Sequence, residues 1–495
     1  MTVVDFPKIG SPDQGFIHGM TEELLLAWDG LFGLDYQQGP VEVPTATGLL
    51  NGFLPILLVS FVVTLIVVPI ARWIAVQYGI VDDPDGNRKV HRYPIAYLGG
   101  AGVFAGVVAG IVAFDPLIMF SSGIDGFTIA DYSPVPFAVV FGIFAIFITG
   151  VLDDIFHWDP RLKLAGQLVA AAALAMSDFG TGAATGLLSP FFSGWVEGYT
   201  TQVPTVIGGV GEFLTLWGTD ATFPAEANQS GWSRNPFRTL EGVYYWGGVC
   251  LIGIVVLGAC NAANLIDGLD GLLTGSVATM AFGFLVVAII LAIGDVQAMV
   301  NPGDISEQPY ASRSFDPFAG SRIVIALALI GACMGFLPYN FNPAVIFLGD
   351  AGSLLMGFIC GVLILSLGSE GQTHYVIAGL IIFALPIMDT LLAILRRKLA
   401  GLPMSEADKN HIHHMFLRGF GGNVKKAVFA LYGLNAIFVF VGVSLAATVA
   451  LGGARYLLAY GTAILIFGFV GAVALKIGLR QRWAIQASDA SQSED

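Results

Sequence analysis

Apolar residues in this chain come in long unbroken runs, not in the alternation of a half-buried strand. Eleven stretches carry no Asp, Glu, Lys or Arg: 53–71, 98–114, 134–152, 164–177, 242–266, 271–294, 323–349, 351–369, 371–388, 427–454 and 456–475. A hydrocarbon core of about 30 Å takes about 17–25 helical residues, so each run predicts a membrane-crossing helix. The fourth is short, but Lys163 at its start is long enough to reach back to the interface. Helices also satisfy their own backbone polar groups in lipid. The expected fold class is an all-α polytopic membrane protein of about eleven transmembrane helices. The first run begins past residue 50, behind an acidic segment, and reads as a retained helix instead of a cleaved leader.

Threading the runs alternately gives the chain two sides. Of the 22 Lys and Arg residues, only Lys8, Arg234, Arg238, Arg313, Arg322 and Arg455 fall on one side, leaving 16 on the other. The basic side is expected to be cytoplasmic. It holds residues 72–97, 153–163, 389–426, the turns near 267–270 and 350, and the C-terminus. The domain plan that follows is an extracytoplasmic extension over 1–52 and a transmembrane domain over 53–476. Extracytoplasmic insertions are expected at about 178–241 and 295–322, and a polar cytoplasmic tail over 477–495. The outer segments carry most of the acidic residues, so the net charge of −14 describes them and not the cytoplasmic ligand.

Composition agrees. The 495 residues are 55% hydrophobic and 12% charged, with a mean hydropathy of +0.76. Soluble domains carry about 25% charged residues, so a soluble enzyme, a disordered scaffold and a nucleic-acid-binding protein are all poor fits. The 63 Gly and 36 Phe suit closely packed transmembrane helices. Cys250, Cys260, Cys333 and Cys360 lie inside apolar runs without metal-ligand spacing and read as small hydrophobes.

The unusual polar residues collect at the cytoplasmic helix ends, where ionisable groups at membrane depth are expensive and usually functional. In 81–91, Arg88, Lys89 and His91 either neutralise phosphate or anchor a helix end. Adjacent Asp153 and Asp154 suit metal binding or proton acceptance, since neighbouring carboxylates raise each other's pKa unless compensated; a helix cap explains one of them. Lys163 either returns to a phosphate or marks the interface. In NAANLIDGLDG (261–271), two amides and two carboxylates recur at intervals of three, so successive members share a face. Oxygen ligands of this kind suit Mg²⁺ and nucleotide hydroxyls.

In FLGDAGS (347–353), Asp350 serves as an N-cap, a metal ligand or both. Asn340, Phe341 and Asn342 lie just upstream and offer donors and a flat face for a base. His411, His413 and His414, near Arg396, Arg397 and Lys398, favour anionic phosphate over zinc, because no HExxH or cysteine partner accompanies them. His18 and His157 read as ordinary loop residues. Carboxylates for a hard cation, donors for phosphate and access from lipid are what phosphoryl transfer to a membrane acceptor needs.

In the order GVLDD, NAANLIDGLDGL and FLGDAGS, these motifs resemble the polyprenyl-phosphate N-acetylhexosamine-1-phosphate transferases, of the glycosyltransferase 4 type. The likeness covers about residues 53–475. HIHH, with RKVH near the first span, looks like the branch that uses UDP-N-acetylglucosamine, while a sister branch loads UDP-N-acetylmuramoyl-pentapeptide. The outer segments are longer than in compact members of the family.

The resemblance implies that Asn264 and Asp350 hold Mg²⁺, with Mn²⁺ as an alternative ion. It implies that Asp153 and Asp154 orient or deprotonate a lipid phosphate, and that Lys163 holds phosphate. Asp267 and Asp270 would recognise the uridine end, and His411, His413 and His414 would contact diphosphate or sugar, with Arg88, Lys89 and His91 also on the substrate. The implied reaction is UDP-HexNAc plus undecaprenyl phosphate giving undecaprenyl-diphospho-HexNAc and UMP, the start of an envelope polysaccharide. Implied partners are the UDP-HexNAc donor, the lipid acceptor and the membrane, with no nucleic acid; a homodimer is left open. The implied location is the plasma (inner) membrane, multi-pass, with the active site cytoplasmic. Alternatives are a phospho-MurNAc-pentapeptide transferase-like enzyme and, less favoured, a transporter, which calls for repeats and mid-span polar groups. A CDP-alcohol phosphotransferase is excluded because Asp267-Gly268 continues Leu-Asp-Gly.

Overall fold

The computed structural model describes residues 46–82, 94–113, 135–184, 186, 240–300, 318–368, 372–401, 411–450, 458–469, 471–472 and 475–476. Helix α1 spans Ala46–Gln77, and the short strands β1 (Val81–Asp82) and β2 (Ile95–Ala96) lead to α2 (Gly99–Val112). Then come α3 (Phe137–Phe156), α4 (Pro160–Met176), α5 (Leu240–Ile266), α6 (Leu272–Val300) and α7 (Ala319–Asn340). The last elements are α8 (Gly349–Ser366), α9 (Thr373–Ile382), α10 (Ala384–Ala400), α11 (Ile412–Gly419), α12 (Val424–Ala450) and α13 (Leu458–Phe469).

Among the described residues, seven helices are long and apolar enough to cross a membrane, or eight if α9 and α10 form one broken span. The expected polytopic helical membrane protein is what the structure shows. It departs from a plain helix set in two places. A two-residue antiparallel ribbon pairs Val81 with Ala96 and Asp82 with Ile95. The run 371–388 is not one straight helix but the start of a pair bent by 78° at Phe383. Pro386 contributes: it has no N–H for the Ile382 carbonyl, so the backbone ladder is interrupted there and Pro386 falls in the first turn of the new helix, whereas Pro69 and Pro338 sit inside continuous helices.

Helices α7 and α8 are buried along nearly their whole length. Helix α8 packs against α2, α3 and α5, while α7 packs against α1, α2 and α6. The outer helices turn Leu58, Ile66 and Trp73 of α1, and Ile437 and Phe440 of α12, outward. Lipid offers no hydrophobic gain for helix association, so close backbone approach and polar contacts must supply it. Ser60 Oγ of α1 donates to the Ala328 carbonyl of α7 at 2.6 Å, and Tyr339 Oη donates to the Leu65 carbonyl at 3.1 Å.

The connections gather the motifs at one end of the bundle. The segment from β2 into α2 runs beside residues 346–348: Phe347 N donates to the Ala96 carbonyl (2.8 Å), Gly99 N to Phe347 O (2.9 Å) and Gly100 N to Leu348 O (2.8 Å). This clamp fixes where α8 begins, and therefore where Asp350 stands.

Candidate active site

Helix α3 ends at His157, whose left-handed backbone (φ 49°) stops the helix just past Asp153 and Asp154. Helix α4 starts three residues later with Pro160 in its first turn and Asp159 as cap, accepting from Arg161 N at 2.8 Å. That tight turn brings Lys163 back over the end of α3. Its Nζ lies 2.8 Å from Asp153 Oδ2 and also pairs with Asp350 Oδ2. Asn264, near the end of α5, donates from Nδ2 to Asp350 Oδ1 (2.6 Å) and to Ser353 Oγ (2.9 Å). Residues distant in sequence thus meet around the Asp350 carboxylate.

The two adjacent aspartates point to different tasks. Asp154 accepts from the backbone of α8, at Asp350 N through Oδ1 (2.7 Å) and at Ala351 N through Oδ2 (3.0 Å). It caps that helix, where the unsatisfied N–H groups and the positive end of the dipole favour a carboxylate. Gly349, with φ +72°, leaves room for this carboxylate, which a Cβ would meet. Asp153 faces Lys163 instead.

A cavity of about 820 Å³ opens beside Asp350. Asn264, Asp267, Asp270, Asn340, Phe347 and His414 are on its wall. A second cavity, of about 390 Å³, is lined by Asp153, His157, Trp158, Lys163, Leu164 and Asn264. Asn264 borders both, so the Asp153–Lys163–Asp350 group stands where they meet. The larger cavity is of drug-ligand size.

The 267–271 turn is pinned from several sides. Asp270 Oδ2 accepts from Asn342 Nδ2 (2.9 Å) and Ala344 N (3.1 Å). Asn340 Oδ1 accepts from Gly271 N (3.2 Å) and Thr274 Oγ1 (3.0 Å), and Tyr432 Oη donates to the Gly271 carbonyl at 2.5 Å. Asp267 has no such neutral partners among its perturbing neighbours. Burial, then the negative charges of Asp350, Asp270 and Asp154, push its carboxyl up to about 7. On the far wall, burial and nearby Asp82 raise the Tyr97 phenol, which stays protonated as a donor. Burial, which penalises the charged form, lowers His414 to about 4, so at neutral pH it offers a hydrogen bond and no charge.

Of the residues singled out in the sequence, Asp153, Asp154, Lys163, Asn264 and Asp350 form one contact network, and Asp267, Asp270 and His414 line the adjoining cavity. His411 and His413 sit behind it, and His413 is only 2% exposed. Arg88, Lys89 and His91 lie outside the described residues. Sequence reasoning passed over Asp389, fully buried on α10, whose carboxylate meets both of these histidines. The available signal was a lone acid inside an apolar stretch, treated only as the boundary of a span.

The family model for glycosyl transferase family 4 matches residues 136–368, which include the Asp153–Asp154, Asn264 and Asp350 motifs. Over 384 residues the chain is 32% identical to a probable undecaprenyl-phosphate N-acetylglucosaminyl 1-phosphate transferase of Bacillus subtilis (strain 168), spanning 77% of this chain and 81% of that one. The chain belongs to glycosyl transferase family 4. A second member, the decaprenyl-phosphate N-acetylglucosaminephosphotransferase of Mycolicibacterium smegmatis, is 30% identical over 73% of this chain and 74% of its own length. A phospho-N-acetylmuramoyl-pentapeptide-transferase of Methylacidiphilum infernorum is 35% identical, but over only 39% of this chain and 50% of that protein. Within family 4, the fuller matches are therefore to the N-acetylglucosamine-phosphate enzymes.

Proposed function

We propose that this chain transfers GlcNAc-1-phosphate, as the HexNAc-1-phosphate best supported, from the UDP-sugar to undecaprenyl phosphate, releasing UMP. The carrying observation is the meeting of two cavities at Asp153, Lys163, Asn264 and Asp350. The larger cavity takes the donor, with its diphosphate at the Asp350 end and its uridine towards Asp267 and Asp270. The smaller one, walled by Trp158 and Leu164 beside Lys163, takes the lipid phosphate.

Mg²⁺, or Mn²⁺ in its place, fits this oxygen-rich centre, where a lysine ammonium already sits between two carboxylates. Among the described residues no three His, Cys, Asp or Glu side chains form a cage. Magnesium does not ask for one, since it is commonly held by one or two carboxylates and completed by substrate phosphates and water. Asp350 and Asn264 would hold it, with Asp153 adjacent, and the ion would neutralise charge developing on the diphosphate.

Lys163 holds the acceptor phosphate, and Asp153 orients it or removes its last proton. An acceptor oxygen then attacks the donor's sugar-bearing phosphorus in line. One P–O bond forms and the bond to UMP breaks, so UMP leaves with the electron pair. Asp154 keeps Asp350 in place, and His414 donates to the diphosphate or sugar. The attacking phosphate is already anionic, so no covalent aspartyl intermediate is needed.

We further propose eleven crossings, counting α2, α4, α13 and the broken α9–α10 pair. The site then faces the cytoplasm of the plasma membrane, where the basic loops lie. The test uses purified protein, undecaprenyl phosphate and a panel of labelled UDP-sugars. Labelled lipid and UMP are expected with UDP-GlcNAc, abolished by EDTA and restored by Mg²⁺. No labelled lipid from any UDP-sugar would overturn the reading.

A further inference from the structure

Helix α11 begins at His411 with no cap from its own first residues. The cap comes instead from α10, where Asp389 Oδ1 accepts from Ile412 N at 2.5 Å. The other oxygen, Oδ2, lies 3.0 Å from His411 Nδ1 and 3.5 Å from His413 Nδ1. Asp389 is completely buried, and a buried carboxylate is costly unless donors surround it. The backbone N–H and the His411 imidazole are those donors, which requires the His411 ring to carry its proton on Nδ1; His413 Nδ1 is buried beside the same oxygen without a hydrogen bond of its own among the described residues.

The consequence reaches the donor cavity. The His411 and His413 rings lie nearly parallel, 13° apart, and the His413 ring closes against Gly268, leaving no space for a side chain there. Gly268 belongs to the turn that carries Asp267 and Asp270, and His414, next along α11, is on the cavity wall. One carboxylate therefore fixes the start of α11 and the orientation of the His411 ring, on which the His413 ring stacks at the back of the 267–270 turn.

We infer that Asp389 is a positioning residue for the transfer reaction: it holds His411 in the Nδ1–H tautomer and, through the start of α11, seats the 267–270 turn and His414 against the donor. The functional half of this inference rests on the transferase reading above. Where a carboxylate orients a metal-bound histidine its removal costs about 10–100-fold, and a loss of that order is expected here.

The test compares full-length wild type with Asp389→Asn, both labelled with ¹⁵N-histidine in detergent. His411→Gln assigns the His411 signal. An Asn oxygen can still cap Ile412 N, but its amide N–H₂ faces the His411 ring and donates. Wild type is expected to show His411 protonated on Nδ1. In Asp389→Asn it shifts to Nε2–H, with UMP release down about 10–100-fold and Asp389→Glu recovering part of it. An Nε2–H tautomer of His411 in wild type overturns the inference, even if the variant fails to fold, and so does wild-type turnover in Asp389→Asn. A wild type that makes no product from any UDP-sugar sinks the transferase reading instead, while the histidine spectrum still decides the role of Asp389.

Discussion

Lys163 places its ammonium 2.8 Å from the Asp153 carboxylate while also pairing with Asp350, so one protein cation occupies the centre between two anions. On the proposed reading, an incoming divalent ion displaces it or shares the carboxylates with it. Lys163→Met is therefore expected to separate metal affinity from turnover. Without substrates, Mn²⁺ should bind at least about tenfold more tightly, a change of about 1.4 kcal/mol. Turnover should nevertheless fall on the order of 100-fold, because in the proposed reaction Lys163 supplies the charge that holds the acceptor phosphate. Titration of Mn²⁺ by electron paramagnetic resonance reads the first, and UMP release the second. Unchanged or weaker Mn²⁺ binding would show that the ion and the ammonium do not compete.

Asp153 and Asp154 are neighbours in sequence but hold different partners, and alanine substitution should separate them. Asp154→Ala removes both acceptors from the first turn of α8, a cap worth about 0.5–2 kcal/mol. It should lower the melting temperature in detergent as well as turnover. Asp153→Ala leaves that cap intact and Lys163 still paired with Asp350, so turnover should fall with a smaller change in melting temperature. Equal thermal losses in the two variants would contradict this division.

The legible parts of this protein are those that lipid dictates. A helix in hydrocarbon must be long and uninterrupted, so its run shows in the sequence, and a costly polar residue at membrane depth marks itself. Asp153, Asn264 and Asp350 were visible for that reason. The division between Asp153 and Asp154 was not, because it depends on the direction from which α8 approaches α3. The bend at Phe383 was hidden because Pro386 sits in an apolar stretch that reads equally well as one span. Asp389 was missed because its partners lie 22 or more residues ahead, on a helix whose position only the bend determines. Nothing in the sequence showed that Asn342 and Ala344 hold one oxygen of Asp270, because they reach it across the fold.

Asp267 gives the apo protein a pH dependence of definite sign. With its carboxyl raised from 3.8 to about 7, the folded state binds this proton more tightly than the unfolded chain between those values. Stability contributed by the protonated form is present at low pH and falls as pH rises through that window. Asp267→Asn stays neutral, so the melting temperature of the variant relative to wild type should climb from about pH 5 to about pH 8. A constant difference across that range would show that Asp267 ionises normally.

Gly150 tests whether the position of α8 sets the reaction. It lies on α3 where the first turn of α8 crosses, and a methyl added there would stand 2.6 Å from Ala351 N and 2.8 Å from the Asp350 carbonyl carbon. Both are backbone atoms that cannot swing aside, so Gly150→Ala must push the helices apart, at about 1–3 kcal/mol for overpacking. Asp350 moves with its helix while Lys163 stays with α4, so turnover should fall even where the protein remains folded. Gly253 on α5 is the control, because a methyl there meets nothing within 4 Å. Gly253→Ala should keep full turnover and match or exceed wild-type stability, since alanine is favoured over glycine inside a helix by about 1 kcal/mol. Parallel melting curves and UMP assays read both, and a Gly150→Ala enzyme with wild-type turnover would show that α8 tolerates the shift without loss of the site.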